Sequence, residues 1–243
     1  MFSSPKKAID LEPFRLLSTH CIESTSFGTT EEHFKFLILA YGFLHGLHLL
    51  PEGHMHLSRT PYRVGELTGL VPQGSDLQQG MSHLNHYYEA SKPECKKQIF
   101  ATLHWFLMGQ SYRNVWDQFD AQYKVLDSIH SLAKKQRKVQ TRPRIPHATV
   151  PQRLAKIFGA YTPEWAIMNK AENSCELSKI RNDFIHDAIY SEQAIGYKHS
   201  KINFGIEFPE FNLKLICGIL GLKTDFIQRK FTRGKGTWNF YIS

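Results

Sequence analysis

The sequence predicts a mainly α-helical protein: a helical bundle over residues 91–243, preceded by an N-terminal α+β region, residues 1–90, to which no role is assigned. Two observations predict this class. Apolar residues recur every three or four positions in most of the longer segments, as on one face of a helix. Capping residues and prolines, which start helices, stand just before several of those segments. The alternation of apolar and polar residues that is typical of strands occurs only in short stretches.

The N-terminal region begins with a mixed stretch in which residues 10–22 form one predicted helix. Thr30 then precedes two glutamates, a pattern that caps a helix and complements its dipole. Apolar spacing over residues 34–47 continues this helix, although Gly42 and Gly46 leave a strand as the alternative. Two elements complete the region: one or two short strands within 54–67 and a helix over 77–88.

The middle of the chain carries the most regular helical patterns. Pro93 stands where a helix begins, and Ile99, Leu103 and Phe106 form the apolar stripe of that helix. Gly109 interrupts the pattern. The next predicted helix ends near Lys135 and has its apolar residues at Val115, Phe119, Tyr123, Leu126 and Ile129.

The remaining segments follow a basic, proline-containing connector. In order, they are a helix that starts at Pro151, one or two helices over 165–188, an extended stretch over 196–209, an apolar helix over 211–226 and a short strand in the tail, 232–241.

Composition limits the possible functions. Four cysteines without a Cys-x-x-Cys pair favour reduced thiols in a cytosol over a disulfide framework or a zinc ribbon. No secretory signal and no apolar run long enough to cross a membrane are visible, so we expect a cytoplasmic protein without a membrane partner. A net charge of +8 favours a polyanionic partner, although a basic surface can also simply keep a protein soluble.

The residues with the clearest chemical meaning are Arg181, Asn182 and His186, spaced as Arg-Asn-x-x-x-His. A histidine can take a proton from a ribose 2′-hydroxyl near neutral pH. An arginine fork can hold a phosphate and its developing negative charge. These groups can cleave RNA without a metal. On a helix, Asn182 and His186 share one face, whereas Arg181 lies roughly 140° around the axis from His186 and must reach across.

Spacing alone does not make the motif specific, because Arg-x4-His also occurs at Arg15–His20 and Arg142–His147. Two prolines exclude a regular helix in the second of these. The third copy is distinguished by Asn182 and by an amphipathic helix around it. The apolar residues predicted to bury that helix are Leu177, Ile180, Phe184, Ile185, Ala188 and Ile189.

Arg-Asn-x-x-x-His on the third long helix of an all-α bundle resembles the HEPN superfamily, named for higher eukaryotes and prokaryotes nucleotide-binding. Residues 178–187 match its polar lead-in, Arg-Asn, apolar residues and His. Residues 99–133 are similar to its first two helices, especially in the ApeA-like and abortive-infection branches, through Trp105-Phe106 and Leu126-Asp127-Ser128. The resemblance covers about 92–230 and does not extend to 1–90.

The resemblance implies a metal-independent endoribonuclease that requires no cofactor and leaves 2′,3′-cyclic phosphate ends. His186 would be the general base, Arg181 would stabilise the charged phosphorus centre, and Asn182 would position the histidine or the phosphate. One motif supplies one imidazole where a base and an acid are useful. HEPN ribonucleases build a composite site across a dimer, so a homodimer is expected. The resemblance also suggests a toxin or antiviral effector with an antitoxin or regulatory protein as a further partner.

A basic stretch follows the longest predicted helix and contains no acidic residue. In an RNA-cleaving protein it would bind phosphates, whereas a solvated loop is the structural alternative. Its six cations are Lys134, Lys135, Arg137, Lys138, Arg142 and Arg144.

Three other interpretations stay open. A non-catalytic helical module that binds RNA, nucleotide or a partner protein would lack cleavage, although the combination of Arg, Asn and His argues against it. A metal-dependent hydrolase would use the dense histidine cluster, although histidines around a surface turn explain that cluster as well. A purely structural motif would pair Arg181 with a nearby acid. The cluster comprises His45, His48, His54 and His56, and the acids are Glu176, Asp183 and Asp187.

Overall fold

The computed structural model describes residues 29–49, 67–70, 72, 74–112, 114–139, 146–189 and 204–230, and this part of the chain is built from α-helices. The described ranges contain no strand, and an isolated bridge joins Asn169 to Ser174. The predicted mainly α-helical bundle is therefore confirmed. The helices are α1 (Glu31–His45), α2 (Ser75–Ala90), α3 (Pro93–Gln110), α4 (Val115–Lys135), α5 (Val150–Phe158), α6 (Glu176–Ile185) and α7 (Phe204–Leu220).

Local sequence explains where the first and the longest helices begin. Thr30 accepts a hydrogen bond from the backbone N–H of His33 at 3.2 Å, which confirms the predicted cap of α1. Asn114 caps α4 in the same way through the N–H of Trp116 at 2.8 Å. Each cap satisfies a backbone donor that the first turn of a helix leaves without an internal partner.

The central helix pair, α3 and α4, packs closely because of one small residue. A Cβ atom added at Gly109 of α3 would lie 2.4 Å from the Cβ of Ala121 on α4, a distance that side chains do not tolerate. Helix α7 lies against α4, where the buried side chain of Asn212 donates to the Gln122 backbone oxygen at 2.8 Å and to the Gln122 side-chain oxygen at 3.0 Å. These bonds fix α7 on the surface of α4 that faces the core.

The hydrophobic core includes the N-terminal helices. Phe43 of α1 and Leu84 of α2 are fully buried in the same cluster as Leu103 and Phe106 of α3. The rings of Phe43 and Phe106 meet edge to face, with centroids 5.8 Å apart. The predicted boundary between residues 1–90 and 91–243 falls between α2 and α3, and it stays a prediction.

Two segments differ from their predicted structures. The extended stretch expected over 196–209 is wrong for its end, because α7 begins at Phe204 and continues through Pro209. Phe208 and Phe211 are buried at helical spacing, so packing outweighs the lost backbone hydrogen bond. Residues 165–188, expected as one or two long helices, contain a 3₁₀ turn, the isolated bridge and the short helix α6.

Helix α1 runs through Gly42 and ends at His45, and its capping residue Gly46 has a left-handed φ of 64°, so the strand alternative for this segment is wrong. The predicted helix over 10–22 and the predicted strands within 54–67 and 232–241 lie wholly or almost wholly outside the described residues. No helix in the described part of the chain is long and apolar enough to cross a membrane.

Candidate active site

The motif occupies the C-terminal half of α6 and the residue after it. At the start of this helix, the Ser178 hydroxyl accepts a hydrogen bond from the N–H of Cys175 at 2.9 Å and donates one to its carbonyl at 2.8 Å. Leu177 and Ile180 are buried and hold one face of α6 against the bundle. The local sequence therefore sets both the start of the helix and the face that it buries.

Helix α6 ends earlier than its apolar pattern predicts. Its last residue is Ile185, and His186 is the capping residue, which donates its backbone N–H to the Asn182 carbonyl at 2.9 Å. Ala188 has a φ of 54°, which turns the chain away from the helical path. Ile185, Ala188 and Ile189 are exposed, so the predicted buried stripe is wrong for these three residues.

Aromatic side chains anchor the end of α6 on α4. The ring of Phe184 lies 4.9 Å from that of Trp116 and 6.4 Å from that of Phe119, centroid to centroid. Phe119 and Tyr123 in turn contact Phe208 of α7. Packing on both sides limits the movement of these rings, so the polar residues at the end of α6 are presented from a rigid surface.

Arg181 connects the motif to this aromatic surface. Its Nη1 donates to His186 Nε2 at 2.9 Å and, over a longer 3.4 Å, to Asn182 Oδ1. Its guanidinium carbon lies 5.3 Å from the centre of the Tyr123 ring, within the range of a cation–π contact. The ion pairs between described residues do not include Arg181, so the predicted alternative of a pair with a nearby acid is not what holds the side chain.

The hydrogen bond from Arg181 defines the tautomer of the exposed His186 imidazole. Arginine can only donate, so His186 Nε2 accepts and the ring proton lies on Nδ1. Asn182 is also exposed, and its side-chain oxygen faces Arg181. The three motif residues are therefore in contact through the arginine, even though five positions separate Arg181 from His186.

A second histidine, His147, lies beside the motif. It opens a 3₁₀ turn at residues 147–149 that contacts α6. Its Nδ1 is 3.1 Å from the hydroxyl of Tyr123, the residue whose ring carries Arg181. Its Nε2 is 3.1 Å from Asp127 Oδ1. In the sequence, His147 stood out only as part of the Arg142–His147 spacing, where two prolines exclude a regular helix. Tyr123 and Asp127, which hold His147 in the structure, are four positions apart and therefore share one face of α4.

His130, one turn beyond Asp127 on α4, differs from His147. Burial, with a further contribution from the positive charge of Lys134, lowers the pKa of His130 to about 4. Its Nε2 is buried and has no hydrogen-bond partner in the described part of the chain. His130 is therefore neutral at physiological pH, whereas His147 is half exposed and contacts the Asp127 carboxylate.

The described basic residues at the end of α4 and after it differ in what they contact. The Lys135 ammonium donates to the Glu94 carbonyl at 3.2 Å and to the Gln98 side chain at 3.1 Å, both on α3. The Lys138 ammonium donates to the Ile219 carbonyl of α7 at 3.3 Å. Lys134 and Arg137 are exposed, and Lys134 acts electrostatically on His130 beside the motif. Arg142 and Arg144 lie outside the described residues.

The dense histidine cluster is buried where it is described. His45 and His48 are 9% and 5% exposed, and burial lowers the pKa of both, to about 4 for His48. The His48 ring meets that of His104 on α3 with centroids 5.9 Å apart. His54 and His56 lie outside the described residues. Within the described ranges, no three His, Cys, Asp or Glu side chains are placed to hold a metal ion.

No family model matches this chain, and neither a curated protein nor a solved structure does. The chemistry of its side chains must therefore indicate what this site does.

Proposed function

We propose that the protein is a metal-independent endoribonuclease, similar in mechanism to HEPN ribonucleases. The observation that supports this most is the pairing of Arg181 Nη1 with His186 Nε2 at 2.9 Å, with an exposed imidazole. A phosphate-binding cation and a neutral base meet at one accessible point. Acid–base transfer and charge stabilisation are the two contributions that RNA transesterification requires from a protein.

His186 Nε2 takes the proton of the ribose 2′-hydroxyl, and the 2′-oxygen attacks the neighbouring phosphorus. In the free protein, the lone pair of that nitrogen is engaged by Arg181. A phosphate bound by the guanidinium competes for the same N–H, which releases the lone pair for the 2′-hydroxyl. Arg181 then stabilises the negative charge that develops on the phosphate oxygens. The products are a 2′,3′-cyclic phosphate and a 5′-hydroxyl.

Tyr123 and Asn182 prepare Arg181 for this role. The guanidinium lies over the Tyr123 ring, and the Asn182 side-chain oxygen accepts a hydrogen bond from it. Such contacts reduce the number of conformations that a long side chain must give up on binding. Asn182 therefore acts by positioning the arginine, a role that differs from the predicted one of positioning the histidine or the phosphate.

Single-stranded RNA is the proposed partner, with the exposed cations after α4 as additional phosphate contacts. A growth-arresting or antiviral role in the cytoplasm, with an antitoxin or regulatory protein that silences the enzyme, follows from the HEPN resemblance. Ile185 and Ile189 beside His186 are 41% and 49% exposed, an apolar surface that a second copy would cover in the proposed homodimer.

Cleavage of total RNA by the purified protein in excess chelator, with mapping of the ends, tests the proposal. We expect cyclic phosphate ends, and we expect His186→Gln and Arg181→Ala to lower the rate by about 10²–10⁴. His86→Gln, a change at an exposed histidine on α2, is the matched control and should cleave like the wild type. The proposal would be contradicted if chelator abolished cleavage by the wild-type protein, or if His186→Gln kept full activity.

The alternative is a module that binds RNA or nucleotide phosphate without cleaving it. The engagement of His186 Nε2 by Arg181 favours this alternative, because a permanently occupied lone pair cannot accept a proton. Under this alternative, Arg181→Ala abolishes RNA binding, whereas the wild-type protein leaves the RNA intact.

A further inference from the structure

We infer that His147 is a second proton-transfer residue of the same site, the general acid that protonates the leaving 5′-oxygen while His186 acts as the base. The inference rests on the proposed ribonuclease function. It places both imidazoles in one chain, so that a single copy of the protein holds a complete acid–base pair.

The position of His147 supports this role. The Tyr123 side chain connects the two halves of the site, because its ring carries the Arg181 guanidinium and its hydroxyl meets His147 Nδ1 at 3.1 Å. The turn that begins at His147 also contacts α6, the helix of the motif. Arg181 therefore contacts His186 directly and reaches His147 through the Tyr123 side chain.

The residues that contact His147 suit the role of a general acid. Asp127 accepts the Nε2 hydrogen at 3.1 Å and so orients the ring, with Nδ1 toward Tyr123. Tyr123 is buried, which raises its pKa and keeps its hydroxyl protonated, so in the neutral ring this hydroxyl donates to Nδ1. The side chains of His147 and Asp127 are 50% and 44% exposed, so a substrate can reach them.

Other groups around His147 do not replace it. His130 on α4 acts electrostatically on the same region, together with Arg153 of α5 and Lys134. Burial lowers the pKa of His130 to about 4, so it carries no proton to donate at neutral pH. His147, in contrast, is exposed to solvent and contacts both Asp127 and the Tyr123 hydroxyl, so the inference assigns the role of acid to this histidine.

The reaction balances within the chain. His186 accepts the 2′-hydroxyl proton as the O2′–P bond forms, and the His147 imidazolium gives its Nδ1 proton to the 5′-oxygen as the P–O5′ bond breaks. In this step the leaving oxygen takes the place of the Tyr123 hydroxyl at Nδ1. After the step, the neutral ring accepts a hydrogen bond from the Tyr123 hydroxyl, whose oxygen lies 3.1 Å from Nδ1. Solvent then returns both imidazoles to their starting forms.

The test compares two substrates, a dinucleotide with its normal 5′-oxygen and one with a 5′-bridging sulfur, a leaving group that needs no acid. For His147→Gln, we expect cleavage of the oxygen substrate to fall by about 10²–10⁴ and cleavage of the sulfur substrate to stay within a few-fold of the wild type. His186→Gln should lose both activities. Asp127→Asn keeps the imidazole but removes the carboxylate that orients it, so it should slow cleavage of the oxygen substrate more than cleavage of the sulfur substrate.

The outcomes separate the inference from the proposed function. If wild-type protein does not cleave, or if His186→Gln still cleaves, the proposed function and the inference both fail. If His186→Gln is inactive but His147→Gln cleaves the oxygen substrate normally, only the inference fails. Equal losses on both substrates would assign His147 a structural role and also overturn the inference.

A mixing experiment tests whether one chain is sufficient. An equal mixture of His147→Gln and His186→Gln chains should stay inactive, because every site then lacks either its acid or its base. Recovery of activity in the mixture would show that the two histidines meet across a dimer, which would overturn the single-chain site.

Discussion

Two groups of histidines in this protein have opposite environments. His45 and His48 lie in the core near α3, more than nine-tenths buried. Both ring nitrogens of His45 and the Nε2 of His48 are without a hydrogen-bond partner in the described residues. His147 and His186 lie near α6, exposed to solvent, and meet Asp127, Tyr123 and Arg181.

The difference shows that the density of histidines along a chain does not mark a reactive site. A buried imidazole without a charged partner stays neutral, and the energy of desolvation opposes its protonation. An exposed imidazole beside an arginine or a carboxylate can bind a substrate and exchange a proton. The first group therefore affects how folding stability depends on pH, whereas we propose that the second group performs catalysis.

The largest expected effect is on activity. Arg181→Lys should lower kcat by about 10²–10³, because an ammonium cannot contact His186, face Asn182 and lie over Tyr123 at the same time. Single-turnover cleavage of a short RNA measures the change. His48→Gln is the control and should keep the wild-type rate per folded molecule; an equal loss in that variant would break the comparison between the two histidine groups.

The next effect is on stability and depends on pH. An unfolded histidine titrates near pH 6.5, whereas burial lowers the pKa of folded His48 to about 4. Between these values, the unfolded state binds a proton that the folded state excludes. The free energy of unfolding should therefore be unaffected by His48 above pH 6.5 and fall by about 1.4 kcal/mol per pH unit as the pH drops toward 4.

Urea unfolding at pH 7.5 and pH 5 measures this dependence. The slope should be shallower in His48→Gln, which has no group to titrate at that position. Identical slopes in the wild type and His48→Gln would mean that His48 does not oppose protonation in the folded protein.

A smaller effect separates stability from activity at the start of α1. Thr30→Ala removes the side-chain acceptor of the His33 N–H and should lower the free energy of unfolding by about 1 kcal/mol. The rate of RNA cleavage under native conditions should not change, because α1 carries no residue of the motif. Thr30→Ser keeps the acceptor and is the matched control for the urea experiment.

The smallest effect concerns the cations after α4. Lys134→Gln should reduce the salt dependence of RNA binding by roughly 0.7 in log–log slope, the value for one single-strand phosphate contact. Lys135→Gln should change it less, because that ammonium is engaged by Glu94 and Gln98 of α3. Fluorescence titrations from low to high salt measure both slopes. Equal slopes for the two variants would mean that Lys134 is a solvated charge that does not contact the RNA.

Much of the helical structure was predictable from neighbouring residues. The cap at Thr30, the proline at the start of α3 and the apolar spacing along α4 act over one or two turns, so the sequence contains their full cause. The start of α7 was mispredicted, because burial of Phe208 and Phe211 depends on what those rings pack against. A local pattern does not include that partner.

The sequence by itself determined the mainly α-helical class and the candidate residues Arg181, Asn182 and His186, because periodicity and chemical type are properties of nearby positions. Only the tertiary structure decided which histidines accompany them. His147 lies 39 positions before His186 in the chain and contacts Tyr123 and Asp127. His48 is buried in the folded protein. Burial and distant contacts fix the charge and partners of an imidazole, and both arise when helices far apart in the chain pack together.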